Sequence, residues 1–229
     1  MKRGIFSSAA FFIFFLTAEL FALSDTTYYK GTLDHQLQTA LYDIYKTDRA
    51  EIVMLGNSIT HGVNWNELLG RSDIAERGIP GDGLRDYLGR MEYVYRLKPK
   101  LCFIMGGVND IYTGYPPELI AANYFKVIEA LQSHEIVPVI ESSLHVSSKY
   151  ILSDIKNHEI SVLNNLLKSY AEKHNIIFID LNSRMSSEGK LRSELTFDGI
   201  HLNAEGYAVW REAIEPVINR YLNLESKSR

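Results

Sequence analysis

Three polar residues in the chain have the types and spacing that nucleophilic acyl transfer requires. Ser58 follows an apolar run and a glycine within EIVMLGNSIT, so its hydroxyl is a candidate nucleophile. A serine hydroxyl needs a base to take its proton, and His201 can be that base. Asp198 precedes it by three residues in FDGIH, so one turn can bring its carboxylate to the imidazole and fix the tautomer.

Such a reaction also needs hydrogen-bond donors for the negative oxygen of the tetrahedral intermediate. The backbone N–H groups of Ser58 and Gly81 and the side-chain amide of Asn109 are candidate donors. Gly81 suits this role because it has no side chain to obstruct a ligand and accepts unusual backbone angles. The sequence therefore predicts an oxyanion hole formed by these three residues.

Other polar and aromatic residues allow alternative assignments. His61 is a rival base because it lies close to Ser58 in the sequence, although no carboxylate precedes or follows it closely. His145, in the loop after a predicted strand, and Trp65 are possible substrate contacts. Asp82 and Asp110 are expected to brace loops. The remaining helical histidines are expected to be solvated, and they are His35, His134, His158 and His174.

Neither a metal nor a cofactor is expected from the motifs. No pair of histidines has ligand spacing such as H-E-x-x-H. The glycine-rich turn GNSITHG lacks the lysine of a phosphate-binding P-loop. A flavin-binding protein of the flavodoxin type remains a rival interpretation of this turn, but it leaves Asp198 and His201 without a role.

Alternating elements must position these residues. Apolar runs predict strands over residues 52–55, 73–77, 100–105, 136–140 and 176–179. Helical periodicity predicts helices over 33–45, 64–69 and 84–95, two that open near 116 and 154, and a last one over 208–221. This alternation is typical of a parallel sheet covered on both faces, in which the loops carrying the candidate residues meet at one edge.

Composition is that of one ordinary domain. The chain has 229 residues, 46% of them hydrophobic, and a net charge of −4 without a long basic run, so nucleic acid is not an expected partner. The single cysteine, Cys102, lies in an apolar run and is expected in the core.

The amino terminus has the layout of a secretory signal peptide. Lys2 and Arg3 precede an apolar run over residues 5–16, and Ala22 and Ser24 fit a cleavage site before Asp25. We therefore expect export after removal of residues 1–24, without a stable membrane anchor, and a single domain over 25–229. An uncleaved anchor is the alternative.

Four blocks in this order, GNSIT, GIPGDG, GVND and DGIH, resemble those of the SGNH or GDSL-type esterase and lipase family. The stretch LRSELTFDGIHLNAEGY is similar to its platelet-activating-factor acetylhydrolase-like and carbohydrate acetylesterase branch. One departure is Asn57, where the first block often has aspartate.

The resemblance implies an α/β/α sandwich with a flavodoxin-like parallel sheet of about five strands, and a Ser58–His201–Asp198 hydrolase without cofactor. The expected substrate is a small-molecule or glycan ester, first of all an O-acetyl group on a sugar. Alternatives are a lysophospholipase or thioesterase acting on longer acyl chains, an acyltransferase, and a non-catalytic glycan-binding module. The sequence leaves the oligomeric state open.

Overall fold

The computed structural model describes residues 31–222. The predicted signal peptide, residues 1–24, lies outside the described residues. Among residues 31–222, no helix is both long enough and apolar enough to cross a membrane.

A five-stranded parallel sheet forms the centre of the molecule. Its strands are β1 (Ile52–Gly56), β2 (Ile74–Gly78), β3 (Leu101–Ile104), β4 (Val137–Glu141) and β5 (Ile177–Ile179). They lie in the order β2-β1-β3-β4-β5. Strands β1 and β3 are fully buried and apolar along their whole length, as expected for interior strands covered on both faces, whereas the edge strand β2 contains Glu76 and Arg77.

Helices cover both faces of the sheet, which gives the predicted three-layer α/β/α sandwich. The helices are α1 (Leu33–Ile44), α2 (Ser58–His61), α3 (Trp65–Leu69), α4 (Leu84–Gly89), α5 (Glu92–Tyr95), α6 (Val108–Tyr112), α7 (Pro117–Ser133), α8 (Ser153–His174), α9 (Asn182–Met185) and α10 (Ala204–Leu222). Helices α4, α7 and α8 pack together in one layer, and α10 contacts α3 and α9 in the other. Right-handed crossovers require these two layers, because the chain leaves β1 toward one edge and later strands add at the opposite edge.

The elements differ from the sequence predictions in three places. The predicted helix over 84–95 is two helices, because the chain turns at Arg90 and directs that side chain into the interior. Residues 182–201, for which the sequence predicts no helix or strand, contain α9, a two-stranded antiparallel pair formed by β6 (Ser186–Ser187) and β7 (Lys190–Leu191), and a 3-10 helix, Ser193–Leu195. The turn after β1 is itself helical, and Ser58 opens that helix.

The apolar stripe of α1 faces outward. Its periodicity correctly predicts a helix, yet the side chains that define the stripe are 41–69% exposed, and they are Leu33, Leu37, Leu41, Ile44 and Tyr45. The helix is held instead by its other face, where Tyr42 is fully buried and its hydroxyl donates to the Gly78 carbonyl of β2.

Candidate active site

Ser58 follows the carboxyl end of β1, an interior strand of the sheet, on a tight turn into α2. The side chain of Asn57 caps α2 by accepting a hydrogen bond from the Ile59 N–H at 3.0 Å. Gly56 permits this turn, because a Cβ at that position would lie 1.8 Å from Thr60 Oγ1. Asn57 thus caps the helix as an aspartate could at this position.

A continuous chain of hydrogen bonds joins Ser58, His201 and Asp198. His201 Nε2 lies 2.9 Å from Ser58 Oγ, and His201 Nδ1 lies 2.6 Å from Asp198 Oδ2. The carboxylate can therefore hold the Nδ1–H tautomer, which leaves Nε2 able to accept the serine proton. The structure thus brings together the three residues that the sequence singled out as nucleophile, base and orienting acid.

Electrostatics keep Asp198 ionised. Burial alone would raise the pKa of this carboxyl, but hydrogen bonds from the His201 ring and from the backbone of Ile200 and His201 bring its pKa below the usual range. Its Oδ1 accepts the backbone N–H groups of Ile200 at 3.0 Å and His201 at 2.8 Å. The aspartate therefore shapes the turn and orients the imidazole at the same time.

The loop that carries Asp198 and His201 is held by hydrogen bonds within the loop and by one to the loop after β4. Thr196 Oγ1 donates to the His201 carbonyl at 2.6 Å and accepts the Gly199 N–H at 2.9 Å. The Gly199 carbonyl in turn accepts the Ser147 N–H of the loop after β4, at 2.8 Å. These bonds restrict the loop's freedom to move His201 away from Ser58.

The predicted oxyanion residues follow the two strands that neighbour β1. Gly81 lies in the loop after β2, and Asn109 lies in the first turn of α6, which follows β3. Gly81 has φ +83°, in the left-handed region that favours glycine. The two loops are tied together, because Asn109 Nδ2 donates to the Asp82 carbonyl at 2.9 Å.

The carboxylate of Asp82 is buried between Arg90 and His35, two partners that the sequence did not reveal. Its Oδ2 accepts from Arg90 Nε at 2.7 Å, and its Oδ1 lies 2.9 Å from His35 Nδ1. Arg90 is 1% exposed and also donates to the carbonyls of Arg77 and Gly56, at 2.8 Å each. His35 was expected to be solvated, which is wrong, because only 18% of its side chain is exposed.

Asp110 braces the same region from α6, as expected. Both of its oxygens accept the Leu84 N–H, at 3.1 and 3.2 Å. Burial raises the pKa of this carboxyl to about 6, against the hydrogen bond from Leu84. The same residue explains Gly83, because a Cβ there would lie 2.7 Å from Asp110 Oδ1.

His145 and Trp65, the two predicted substrate contacts, have their polar atoms engaged within the fold. The ring nitrogens of His145 lie 3.0 Å from the hydroxyls of Ser186 and Ser161, and burial lowers the pKa of the ring. Trp65 is 1% exposed, and its Nε1 donates to the Thr60 carbonyl at 2.8 Å. This geometry gives both side chains structural roles and supplies no support for a contact with substrate.

The rival base, His61, does have a carboxylate beside it, which the sequence did not reveal. Its Nδ1 lies 3.5 Å from Glu76 Oε2, and the bond to Glu76 raises the pKa of the ring. The hydroxyl of Ser58, however, is hydrogen-bonded to His201. The geometry therefore favours His201 as the base.

One group within residues 31–222 has the side-chain types of a metal site. Donor atoms of His35, Asp82 and Asp86 lie within 4.8 Å of one another. The two oxygens of Asp82 are already hydrogen-bonded to His35 and Arg90, and the Arg90 guanidinium balances the charge of the carboxylate. The cluster is thus explained as a hydrogen-bonded ion pair beside the Gly81 loop.

Residues 54–209 match the model of the GDSL-like lipase/acylhydrolase family. The chain belongs to this family. The match includes Ser58, Gly81, Asn109, Asp198 and His201, and it confirms the resemblance seen in the four sequence blocks. Helix α1 lies before the matched segment.

Solved structures of similar acylhydrolases share the fold of this family member. A candidate acylhydrolase of Bacteroides fragilis is 28% identical, with a TM-score of 0.73, covering 83% of this chain and 99% of that one. The acetyl xylan esterase AlAXEase is 26% identical, with a TM-score of 0.63, covering 73% of this chain and 98% of that one.

One further relative is similar over a shorter stretch of the chain. N-acylneuraminate cytidylyltransferase of Streptococcus agalactiae serotype V is 29% identical over 103 residues, which is 45% of this chain. The matched stretch is 24% of the length of that relative.

Proposed function

We propose that this GDSL-type acylhydrolase cleaves carboxylic esters through a covalent acyl-enzyme on Ser58. The observation that supports this most directly is the hydrogen-bonded chain from Asp198 through His201 to Ser58, with distances of 2.6 and 2.9 Å. In the first step Ser58 Oγ attacks the ester carbonyl while His201 Nε2 takes its proton. Asp198 stabilises the imidazolium that forms.

The tetrahedral intermediate places its negative oxygen among the N–H groups of Ser58 and Gly81 and the amide of Asn109. The amide nitrogen of Asn109 carries two hydrogens, one of which is used by the Asp82 carbonyl. The other can be donated to the oxyanion. Donors fixed in this way need no reorganisation as charge develops, which is the basis of their effect on rate.

His201 completes both halves of the reaction. It first gives its proton to the leaving alcohol, which frees the alcohol and leaves the acyl group on Ser58. It then takes a proton from water, whose oxygen attacks the acyl carbon, and returns that proton to Ser58 as the acid departs. No cofactor is needed for these steps.

For the substrate we propose an O-acetyl group on a sugar or glycan. The proposal is supported by the likeness to an acetyl xylan esterase and by the sequence blocks of the carbohydrate acetylesterase branch. It is also consistent with the export that we propose for residues 25–229 after cleavage near Ser24. Mass determination of the amino terminus of the exported chain tests the cleavage.

A specific observation favours longer acyl or alkyl chains as the second candidate. Phe197, whose ring lies 5.9 Å from that of His201, is 73% exposed. Ile151 at 69% and Leu152 at 57% are exposed at the end of the loop after β4, which bonds to the His201 loop through the Ser147 N–H and the Gly199 carbonyl. A lysophospholipase or thioesterase could place a hydrocarbon chain on such side chains. A chain-length series of aryl esters separates the candidates, because a sharp preference for acetate favours the acetylesterase.

The test of the proposed function compares Ser58→Ala with Ser187→Ala, a change at an exposed serine of β6. We expect Ser58→Ala to lose turnover of a small acetyl ester while keeping its fold by circular dichroism, and Ser187→Ala to retain turnover. Undiminished turnover by Ser58→Ala would reject the proposal.

Two further measurements separate the remaining alternatives. Acetate release from a panel of acetylated glycans identifies the sugar, and added sugar alcohols that capture the acyl group would reveal a transferase. Ser58 that resists labelling by a fluorophosphonate would favour a non-catalytic glycan-binding module.

A further inference from the structure

Helix α1 lies outside the family-matched segment 54–209 and yet contacts the loop that carries Gly81. The contact begins at the amino terminus of the helix. Thr32 caps α1 by accepting the His35 N–H on its Oγ1 at 3.1 Å. A Cβ at Gly81 would lie 3.4 Å from Thr32 Cγ2, so the threonine packs directly against this loop.

The main bond of this contact joins His35 to Asp82. Its length is 2.9 Å, and Asp82 is fully buried while His35 is largely covered. Burial raises the pKa of Asp82, while Arg90 and His35 oppose that rise. His35 thus helps to hold a buried carboxylate in its charged form and in one orientation.

Asp82 is linked to two of the proposed oxyanion donors, the backbone N–H of Gly81 and the side-chain amide of Asn109. Asp82 is joined to Gly81 by a peptide bond, so the orientation of Asp82 is coupled to that of the Gly81 backbone. Its own carbonyl accepts the Asn109 amide at 2.9 Å. A rotation of Asp82 would therefore move the Gly81 backbone and the acceptor that orients Asn109 together.

We propose that His35 is a positioning residue for the oxyanion hole, which it fixes through Asp82 from a helix outside the matched family segment. This inference rests on the proposed function. Loss of one oxyanion donor typically lowers kcat by about 10²- to 10³-fold. Removing one hydrogen bond that only orients such donors should cost about tenfold in kcat.

The discriminating variants are His35→Ala, His35→Asn and Tyr42→Phe. Asparagine can place its Nδ2 close to the position of the histidine Nδ1, so it can restore the bond to Asp82. Tyr42→Phe is the matched control, because it removes the bond from α1 to the Gly78 carbonyl without touching Asp82. All three are assayed for kcat, KM and thermal stability on a small acetyl ester.

We expect His35→Ala to lower kcat about tenfold with KM within about twofold, and His35→Asn to recover most of that loss. Tyr42→Phe should lower thermal stability and leave kcat unchanged. The proposal is overturned if kcat of His35→Ala equals that of the wild type. It is also overturned if kcat falls equally in Tyr42→Phe and His35→Ala at equal loss of stability.

The double variant His35→Ala/Asn109→Ala distinguishes a positioning role of His35 from a merely structural one. If His35 acts through the oxyanion hole, its effect on kcat should shrink strongly in an Asn109→Ala background. The proposal would be contradicted if the fold-loss in kcat of the double variant equalled the product of the fold-losses of the two single variants. Failure of the proposed function is distinguishable, because it appears as turnover that survives Ser58→Ala, whereas failure here appears as Ser58-dependent turnover that is insensitive to His35.

Discussion

Glu141 should make the stability of this protein depend on pH, because the structure buries its carboxyl almost completely. It ends β4 with 1% of its surface exposed, and its Oε1 accepts a hydrogen bond from Trp210 Nε1 at 2.5 Å. Burial raises its pKa from 4.5 to about 8, against the opposing bond from Trp210. The folded protein therefore keeps a proton that the unfolded chain releases.

The sign of the effect follows from this difference in bound protons. Stability from Glu141 is fully present below pH 4.5, falls as the pH rises, and is lost above about pH 8. Each pKa unit corresponds to about 1.4 kcal/mol, so the free energy of unfolding should lose roughly 3 to 4 kcal/mol between about pH 5 and pH 8 from this group alone.

The measurement is the free energy of unfolding of the wild type and Glu141→Gln by chemical denaturation between about pH 5 and pH 8. Glutamine can keep the acceptor for Trp210 without titrating. The stability difference between the two proteins should therefore shift in favour of the variant as the pH rises, by the amount given above. Glu129→Gln, at an exposed position on α7, is the control. Parallel pH profiles for wild type and Glu141→Gln would refute the reasoning.

Three further predictions concern Asp198, Phe197 and Cys102. Asp198→Asn should lower kcat by up to about 10⁴-fold, because the amide no longer selects the productive tautomer of His201; steady-state kinetics that change less than about tenfold would contradict this. The ring of Phe197 lies 5.9 Å from that of His201 at 17°, so it should contact a sugar leaving group. Phe197→Leu should then raise KM for acetylated sugars about fivefold, with Phe197→Tyr and small acetates unaffected, whereas an unchanged KM would exclude that contact. The thiol of Cys102 is fully buried, which raises its pKa, so thiol reagents should label it only after unfolding; rapid labelling of the folded protein would be contrary to expectation.

The sheet and most helices could be predicted because their signals are local. Strand β1 is an unbroken apolar run ended by Gly56, and α7 opens with Pro117 and continues with regular apolar spacing. The break between α4 and α5 could not be predicted in the same way. At the break, Arg90 bonds to Asp82 and to the Gly56 carbonyl, and these are tertiary contacts that helical periodicity does not reveal.

The candidate site was predictable to the extent that its residues stand in short blocks. The proximity of Asp198 and His201 follows from their spacing in FDGIH, and parallel-sheet topology places Ser58 beside the loops of Gly81 and Asn109. The supporting residues gave no such signal. The sequence shows a histidine on an amphipathic helix but not which face of that helix packs on the protein, and here the apolar stripe is the exposed one.

The supports beneath Ser58 likewise depend on tertiary packing. The Tyr207 hydroxyl donates a hydrogen bond to the Ile59 carbonyl of α2 at 2.8 Å. Trp65 packs edge-on against Trp210, with ring centroids 5.0 Å apart. Trp210 is fully buried in α10, and the acceptor of its indole N–H, Glu141, lies on β4. Sequence periodicity predicts burial and gives no information about such pairs.

Trapping of the acyl-enzyme tests the central claim most directly. The wild type is mixed with an activated acetyl ester, quenched in acid during turnover, digested and analysed by peptide mass spectrometry. We predict the mass of one acetyl group on the peptide that contains Ser58, with increased accumulation in His201→Ala only if the ester is activated enough to acylate without a base. Turnover by the wild type without a modified Ser58 peptide, or acetyl mass on a different residue that tracks turnover, would contradict the account.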